Sequence, residues 1–353
     1  MDLPPPIPEL VEPVDAETVF SRSQVDGAFF FKAQKAKANS AFDGIIDIPD
    51  DSTFETALIL NVSKDNAVLR TRFTSLTPQN SDDRSDVLDA SVLEAALDVY
   101  PTDRVDIRLG KTFLSWDPGF STQPNGFFQG HPDFADITDF ENRLEGVFLL
   151  SMTYATELLD IGIVVAEAPD DPRLGADQPD SQAAVRLVGD IAQTTFALIL
   201  RGTDTENSGL GITASTTLTA NATGQLSVFS DKLATRAAIG GSVFLKTGIT
   251  IAVELSYDEL NETQEESSFI ALTPPRKFWD TRISRNDFDL NWSISLRHSF
   301  EDDSYLLAAA LATTLDQNIQ LRFEAGGYSE PDTGALGRIP IESFSSLSLK
   351  VAF

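Results

Sequence analysis

The amino-acid sequence predicts an all-β chain closed into a membrane-spanning antiparallel barrel, and three observations predict it. Apolar and polar residues alternate with period two through most of the chain, which is the period of a strand. Most alternating runs are nine residues or longer, beyond the usual globular strand and close to the roughly 9–11 residues that cross a bilayer at a tilt. The connections alternate in length. Short turns at Lys64-Asp65, Pro101–Asp103, Gly189-Asp190, Asn221–Gly224 and Thr247-Gly248 alternate with long polar segments at 38–52, 77–87, 116–142, 169–181, 260–286 and 328–341. Turns at one end and loops at the other are the plan of a membrane barrel.

The clearest strand is 287–300. Phe288, Leu290, Trp292, Ile294 and Leu296 share one face, against Asp289, Asn291, Ser293, Ser295 and Arg297 on the other. Segment 248–258 sets Ile249, Ile251, Val253, Leu255 and Tyr257 against Thr250, Ala252, Glu254, Ser256 and Asp258. Segment 105–113 sets Val105, Ile107, Leu109 and Phe113 against Asp106, Arg108 and Gly110, and 318–324 alternates in the same way. In order, the candidate strands are 24–37, 53–62, 65–76, 88–100, 104–115, 143–154, 158–168, 182–189, 191–202, 209–219, 223–230, 234–246, 249–259, 287–299, 304–312, 318–327 and 342–353. These number seventeen, whereas a bacterial single-chain barrel has an even count. Either the pair 223–230 and 234–246 is drawn wrongly or a strand hides in 260–286. The expectation is sixteen strands, with eighteen next.

A soluble β-sandwich or propeller also alternates. Its inner face is apolar, however, whereas this polar face carries charges at many successive positions, and no blade-length repeat is present. In a lipid-spanning barrel the apolar face is outside and the polar face lines the lumen. Aromatics near strand ends (Phe29, Phe31, Tyr100, Phe113, Tyr154, Tyr257, Phe300 and Phe323) suit interfacial girdles.

Composition narrows function further. The net charge is −28, which argues against nucleic acid as a partner. The chain has no Cys, which excludes disulfides, thiol nucleophiles and Cys-ligated metals. No run of 18 apolar residues marks a transmembrane helix. Residues 1–21 are acidic and Pro-rich and read as a solvated arm, leaving 22–353 as one barrel domain. No basic, apolar leader is legible at the start.

Two stretches carry a family resemblance. The chain finishes on Leu347, Leu349, Val351 and Phe353 alternating with Ser346, Ser348, Lys350 and Ala352. Residues 108–120, RLGKTFLSWDPGF, run from a strand through Gly-Lys and a Trp into a long loop, with Asp117-Pro118 where Gly is usual. With the whole-chain strand rhythm, these features resemble Gram-negative outer-membrane porins. The resemblance implies a bacterial outer-membrane location, periplasmic turns and extracellular loops. It also implies a C-terminal Phe353 read by the barrel-assembly machinery. Trimers are usual among sixteen-stranded members and monomers frequent among eighteen-stranded ones. Lipid, lipopolysaccharide and small hydrophilic solutes are the expected partners.

The expected lumen is balanced in charge. Its basic side comprises Arg70, Arg72, Arg104, Arg108, Arg143, Arg186, Arg297 and Arg322, and its acidic side Glu94, Asp98, Asp106 and Glu145. The resemblance implies that loop 116–142 folds inward as a constriction. It would bring Asp117, Asp133, Asp136, Asp139 and Glu141 opposite Arg70, Arg72, Arg104 and Arg108 and set a transverse field across the pore. Otherwise the loop stays outside, and the arginines pair with Glu94, Asp98 and Asp106 beside them.

The expected function is passive diffusion of small hydrophilic solutes and ions. The alternatives are a substrate-specific channel or exporter on the same fold, or a plugged interaction barrel. The surplus acid lies in the arm and loops, which predicts a cation preference. No cofactor is expected. Asp50, Asp51, Asp82 and Asp83 are acidic-loop candidates for Ca²⁺ or Mg²⁺, without the spacing of a calcium loop. Enzyme activity is not expected: the two His are His131 and His298, no G-x-S-x-G stretch exists, and His131 with Asp133 is the only local pair.

Overall fold

A computed structural model describes residues 24–38, 52–78, 89–128, 146–169, 174, 178–262, 276–287, 290–301, 303–329 and 341–353. The strands are β1 (Gln24–Ala38), β2 (Ser52–Lys64), β3 (Ala67–Pro78), β4 (Asp89–Thr102), β5 (Val105–Thr112), β6 (Val147–Ala155), β7 (Asp160–Glu167), β8 (Ser181–Ile191) and β9 (Thr194–Thr203). They continue as β10 (Ser208–Thr219), β11 (Ala222–Ser230), β12 (Thr235–Phe244), β13 (Ile249–Asp258), β14 (Lys277–Asn286), β15 (Leu290–Ser299), β16 (Tyr305–Asp316), β17 (Ile319–Tyr328) and β18 (Ile341–Ala352). Each strand pairs antiparallel with its sequence neighbours, and β1 pairs with β18, so the sheet closes on itself. Closure satisfies every strand edge, which lipid requires.

The barrel has eighteen strands, the second of the two counts the sequence allows. The extra strand is β14, inside 260–286. Its outer face carries Trp279 and Ile283 but also Thr281 and Arg285, so its alternation is diluted and it resembles loop. Turns 65–66, 103–104, 192–193, 220–221, 245–248 and 317–318 lie at one end, the turn side. At the loop side, three connections depart from the long-loop expectation: 204–207, 231–234 and 300–304 are short.

Alternation sorts the faces. On β15, Ile294 is exposed while Ser293, Ser295, Arg297 and Ser299 are buried. On β6, Phe148, Leu150 and Met152 are exposed while Val147, Leu149 and Ser151 are buried. The outward positions thus carry large exposed apolar side chains, while the buried inward positions are polar on β15 and partly apolar on β6. A soluble protein is arranged the opposite way; this arrangement suits a hydrocarbon surround. The seam closes through backbone bonds from Gly27 N to Phe353 O (3.0 Å) and from Phe353 N to Gly27 O (2.9 Å). The Phe353 ring tilts against Phe29 with centroids 5.4 Å apart. A Cβ at Gly27 would lie 2.6 Å from that ring, so the close approach needs glycine.

Candidate functional site: a loop docked across the lumen

Residues 113–128 leave the end of β5, enter the barrel and return. Leu114 N donates to Phe128 O (3.0 Å), closing the base of this excursion. Gly126 N donates to Gln123 O (2.9 Å), forming the turn in Q123-PNG. Two sets of contacts hold the excursion in place.

The first set is apolar. Trp116, Phe127 and Phe128 pack against the inward-facing Val147, Leu149, Val164, Ala166, Ala184, Ile199 and Phe229 of β6–β9 and β11. Ring centroids are 5.1 Å apart for Trp116 and Phe128 and 4.5 Å for Phe127 and Phe229, both edge-on. Offset and edge geometries of this kind are the favoured ones for aromatic pairs. Phe128 is fully buried, and burying such a ring stabilises the docked loop by about 1.5–3 kcal/mol. Three arginines cap this core. Arg186 lies over Trp116 (5.8 Å), Arg201 over Phe127 (4.7 Å), and Arg236 over Phe127 and Phe229 (5.5 and 5.2 Å). Each guanidinium adds a cation–π attraction that grows as the site loses water.

The second set is polar. Asp117 accepts from Asn125 N (2.7 Å), from Asn125 Nδ2 (3.0 Å) and from Ser227 Oγ on β11. Asn125 Nδ2 also donates to Ser227 Oγ (2.8 Å). Gly211 on β10 makes room for Asn125, since a Cβ there would collide with Asn125 Oδ1. At the tip, Phe120 N and Thr122 N donate to the two oxygens of Glu254 on β13 (3.0 and 2.7 Å), and Gln225 Nε2 donates to the same carboxylate (2.9 Å). Thr122 Oγ1 and Ser256 Oγ lie 2.7 Å apart. Ser121 Oγ donates to Asp280 on β14, and Asp280 is clamped by Arg297 through Nε (2.8 Å) and Nη2 (3.3 Å). Glu254 is 0% exposed. A charge so buried is tolerable because three donors surround it. Outside the strands, burial pushes the Asp117 carboxyl above its ordinary value, while the Ser227 and Asn125 hydrogen bonds and Arg236 pull it down.

The rest of the lumen wall is charged and internally paired. Asp98 takes Arg70 (2.9 Å) and Arg108 (2.5 Å). Glu324 takes Lys32 (3.6 Å) and Arg322. Glu94 accepts from Thr112 (2.8 Å), and Glu55 from Thr74 (3.3 Å). A cavity of about 550 Å³ lies beside the loop tip, lined by Phe120, Gln225, Arg282, Asn291 and Arg322 among others. It adjoins the docked tip and extends along β12–β17.

Several expected site residues sit elsewhere than expected. Arg104 is an exposed residue of the turn between β4 and β5, not a wall residue, because the strand ends there. Asp117 does not face Arg70, Arg72 and Arg108. It is tied to β11, and its charged neighbours are Arg186 and Arg236. Arg70 and Arg108 share Asp98, the neighbouring-acid pairing held open as the alternative. Arg186 lies against the loop core, Arg297 is committed to Asp280 and Arg322 to Glu324. Arg72 is buried on the lumen face of β3, and Asp106 is exposed near the turn side of β5. Arg143, Glu145, Asp133, Asp136, Asp139, Glu141 and the cation candidates Asp50, Asp51, Asp82 and Asp83 lie outside the described residues.

Residue-by-residue reading missed Asn125, Ser227, Glu254 and Asp280 as a joint anchor. One signal was available, the aromatic pair Phe127-Phe128 following a turn motif within a polar loop.

No protein-family model matches the chain, and no curated protein matches it. Solved structures do. Acinetobacter baumannii OccAB4 superposes with a TM-score of 0.64 at 9% identity, covering 95% of this chain and 99% of that one. A BenF-like porin from Pseudomonas fluorescens Pf-5 gives 0.62 at 10% identity, covering 95% and 99%. Pseudomonas aeruginosa OccK5 (OpdH) gives 0.62 at 8% identity, covering 94% and 98%. The chain therefore has the porin-like β-barrel fold over nearly its whole length.

Proposed function

We propose that this porin-fold barrel is a bacterial outer-membrane channel through which small hydrophilic solutes and ions diffuse passively. The observation that carries the reading is the division of the lumen. The loop is fixed to the β6–β14 side by its aromatic core and the Glu254 and Asp280 anchors. The opposite wall, β15–β18 with β1–β5, is lined by charged and polar side chains, and the cavity of about 550 Å³ beside the loop tip reaches it at Asn291, Gln320 and Arg322. Charged groups of that kind are stable when hydrated, and a hydrated wall beside a fixed constriction passes polar solutes while penalising apolar ones.

The turn side would face the periplasm and the loop side the exterior. Along the described wall, acids and bases largely pair off. Ion preference would then come from the acidic loops and arm, giving a modest cation selectivity that fades as salt screens it.

Reconstitution in a planar bilayer tests the proposal. The expected result is stepwise, ohmic conductance, with a reversal potential in a KCl gradient that favours K⁺ at low salt and less so at high salt. A folded, inserted protein that never conducts would overturn the reading and leave a plugged barrel.

A further inference from the structure

We propose that the cavity on the turn side of the docked tip is a binding station for a neutral polyhydroxylated solute of mono- or disaccharide size. Strand register assembles it in rows. Nearest the turns, Asn286 on β14 pairs with Asn291 on β15, Asn291 with Ala312 on β16, and Ala312 with Arg322 on β17. Two residues further from the turns, Thr250 on β13 pairs with Ser284, Ser284 with Ser293, and Ser293 with Ala310. All of these residues line the cavity. The alanines recede where the amides and hydroxyls project. The space left is about 550 Å³, within the roughly 300–1,000 Å³ of small-molecule pockets. Phe120, held at the loop tip by its N–H on Glu254 (3.0 Å), adds an apolar side chain to the lining.

The lining selects by hydrogen-bond type. Carboxamides and hydroxyls both donate and accept, as the hydroxyls of a sugar or polyol do, and the C–H face of such a solute suits an aromatic ring. Gln225 is oriented by the bond from its Nε2 to Glu254 (2.9 Å). The side chains of Asn286 and Gln320 have no hydrogen-bond partner among the described residues, which leaves both amides to a solute. Among the described residues no carboxylate lines the cavity, and its cations are Arg282 and Arg322. Two buried acids stand directly behind this lining. Glu254 accepts from Phe120 and Gln225, and Glu324 is paired with Arg322. An anion seated here would meet those acids, and a cation would meet the two guanidiniums. A neutral solute meets neither repulsion and still takes N–H donors from the arginines.

The station deepens the channel reading and rests on it for its place on a solute's path, but binding is measurable without conductance. Saturation-transfer difference NMR of the detergent-solubilised barrel with sucrose tests it, with gluconate as the anionic comparison. The wild type is expected to transfer saturation to sucrose and to bind gluconate more weakly. Asn291→Leu with Gln320→Leu removes two amides and is expected to lose about tenfold in sucrose affinity. Ala310→Leu keeps every polar group, fills the concavity, and is expected to lose binding as well. Thr217→Val, on the lumen face of β10 and outside the cavity, is expected to change affinity less than about twofold. Strand circular dichroism of all three variants should match wild type. No transfer to sucrose, tighter binding of gluconate, or wild-type affinity in the double variant would overturn the station. A barrel that binds sucrose in this way yet never conducts would instead contradict the channel reading and leave the binding site standing.

Discussion

The two halves of the lumen wall are built by one strand pattern and do opposite things. From β6 to β11, inward positions hold Val147, Leu149, Val164, Ala184, Ile199 and Phe229, and the loop lies on them. From β15 through β18 and β1 to β5, inward positions hold Arg297, Arg322, Glu324, Lys32, Arg72 and Asp98. Arg108 pairs with Asp98 on the neighbouring strand, Arg297 with Asp280, Lys32 reaches Glu324 past β18, and Arg322 pairs with Glu324 on its own strand. Both halves present apolar residues to the outside. Alternation therefore places a strand in the barrel, while the choice of inward residue decides whether the lumen wall there is an apolar bed for the loop or a charged surface. The Glu254 and Asp280 anchors sit at the boundary, on β13 and β14.

The comparison can be broken from the apolar side first. Phe128→Ala removes a fully buried ring from the core and should weaken docking by about 3–5 kcal/mol. The expected readout is a larger, noisier conductance with the barrel still heat-stable. Breaking the boundary comes next. Glu254→Gln keeps the shape but places an amide NH₂ against the Phe120 or Thr122 N–H, costing about 1–3 kcal/mol. Raised backbone hydrogen exchange at 120–122 with unchanged exchange in β1–β5 would register it. On the charged side, Arg322→Gln removes the cation paired with Glu324. It should leave loop exchange unaltered and shift the reversal potential by a few millivolts toward cations, an effect that salt suppresses.

Acid titration sharpens the comparison least. The Asp117 carboxyl is held above its ordinary value in the docked loop, so docking is favoured below that ordinary value and the benefit is lost as pH rises through the raised one. Loop exchange should therefore quicken modestly with pH over that window. Asp117→Asn should flatten the dependence.

How much of this was legible differs by feature. Period-two alternation located every strand except β14, where Thr281 and Arg285 occupy outer positions and blur the pattern. The closing pair was readable from Phe353 and the long first strand. The loop's entry into the lumen came only through family resemblance, since its anchors lie more than a hundred residues from the tip, Glu254 being 134 positions from Phe120. Glu254 and Asp280 look in sequence like any other inward acids. Only closure of the barrel brings them to Phe120, Ser121 and Thr122. The transverse field expected between Asp117 and Arg70, Arg72, Arg104 and Arg108 misjudged a local matter. Asp117 is bound by its own loop's Asn125 and by Ser227 on β11, and the arginines near it are Arg186 and Arg236.

The central claim is that the loop stays docked while the channel conducts. The chain has no cysteine, so an introduced pair reacts cleanly. Thr122→Cys with Ser256→Cys replaces two hydroxyls 2.7 Å apart, joining tip to wall when oxidised. Single-channel conductance of this variant, recorded before and after oxidation, is the most direct measurement. The structure predicts ready disulfide formation and the same conductance in both states. A pair that fails to form, or a conductance that collapses on oxidation and returns on reduction, would contradict the claim.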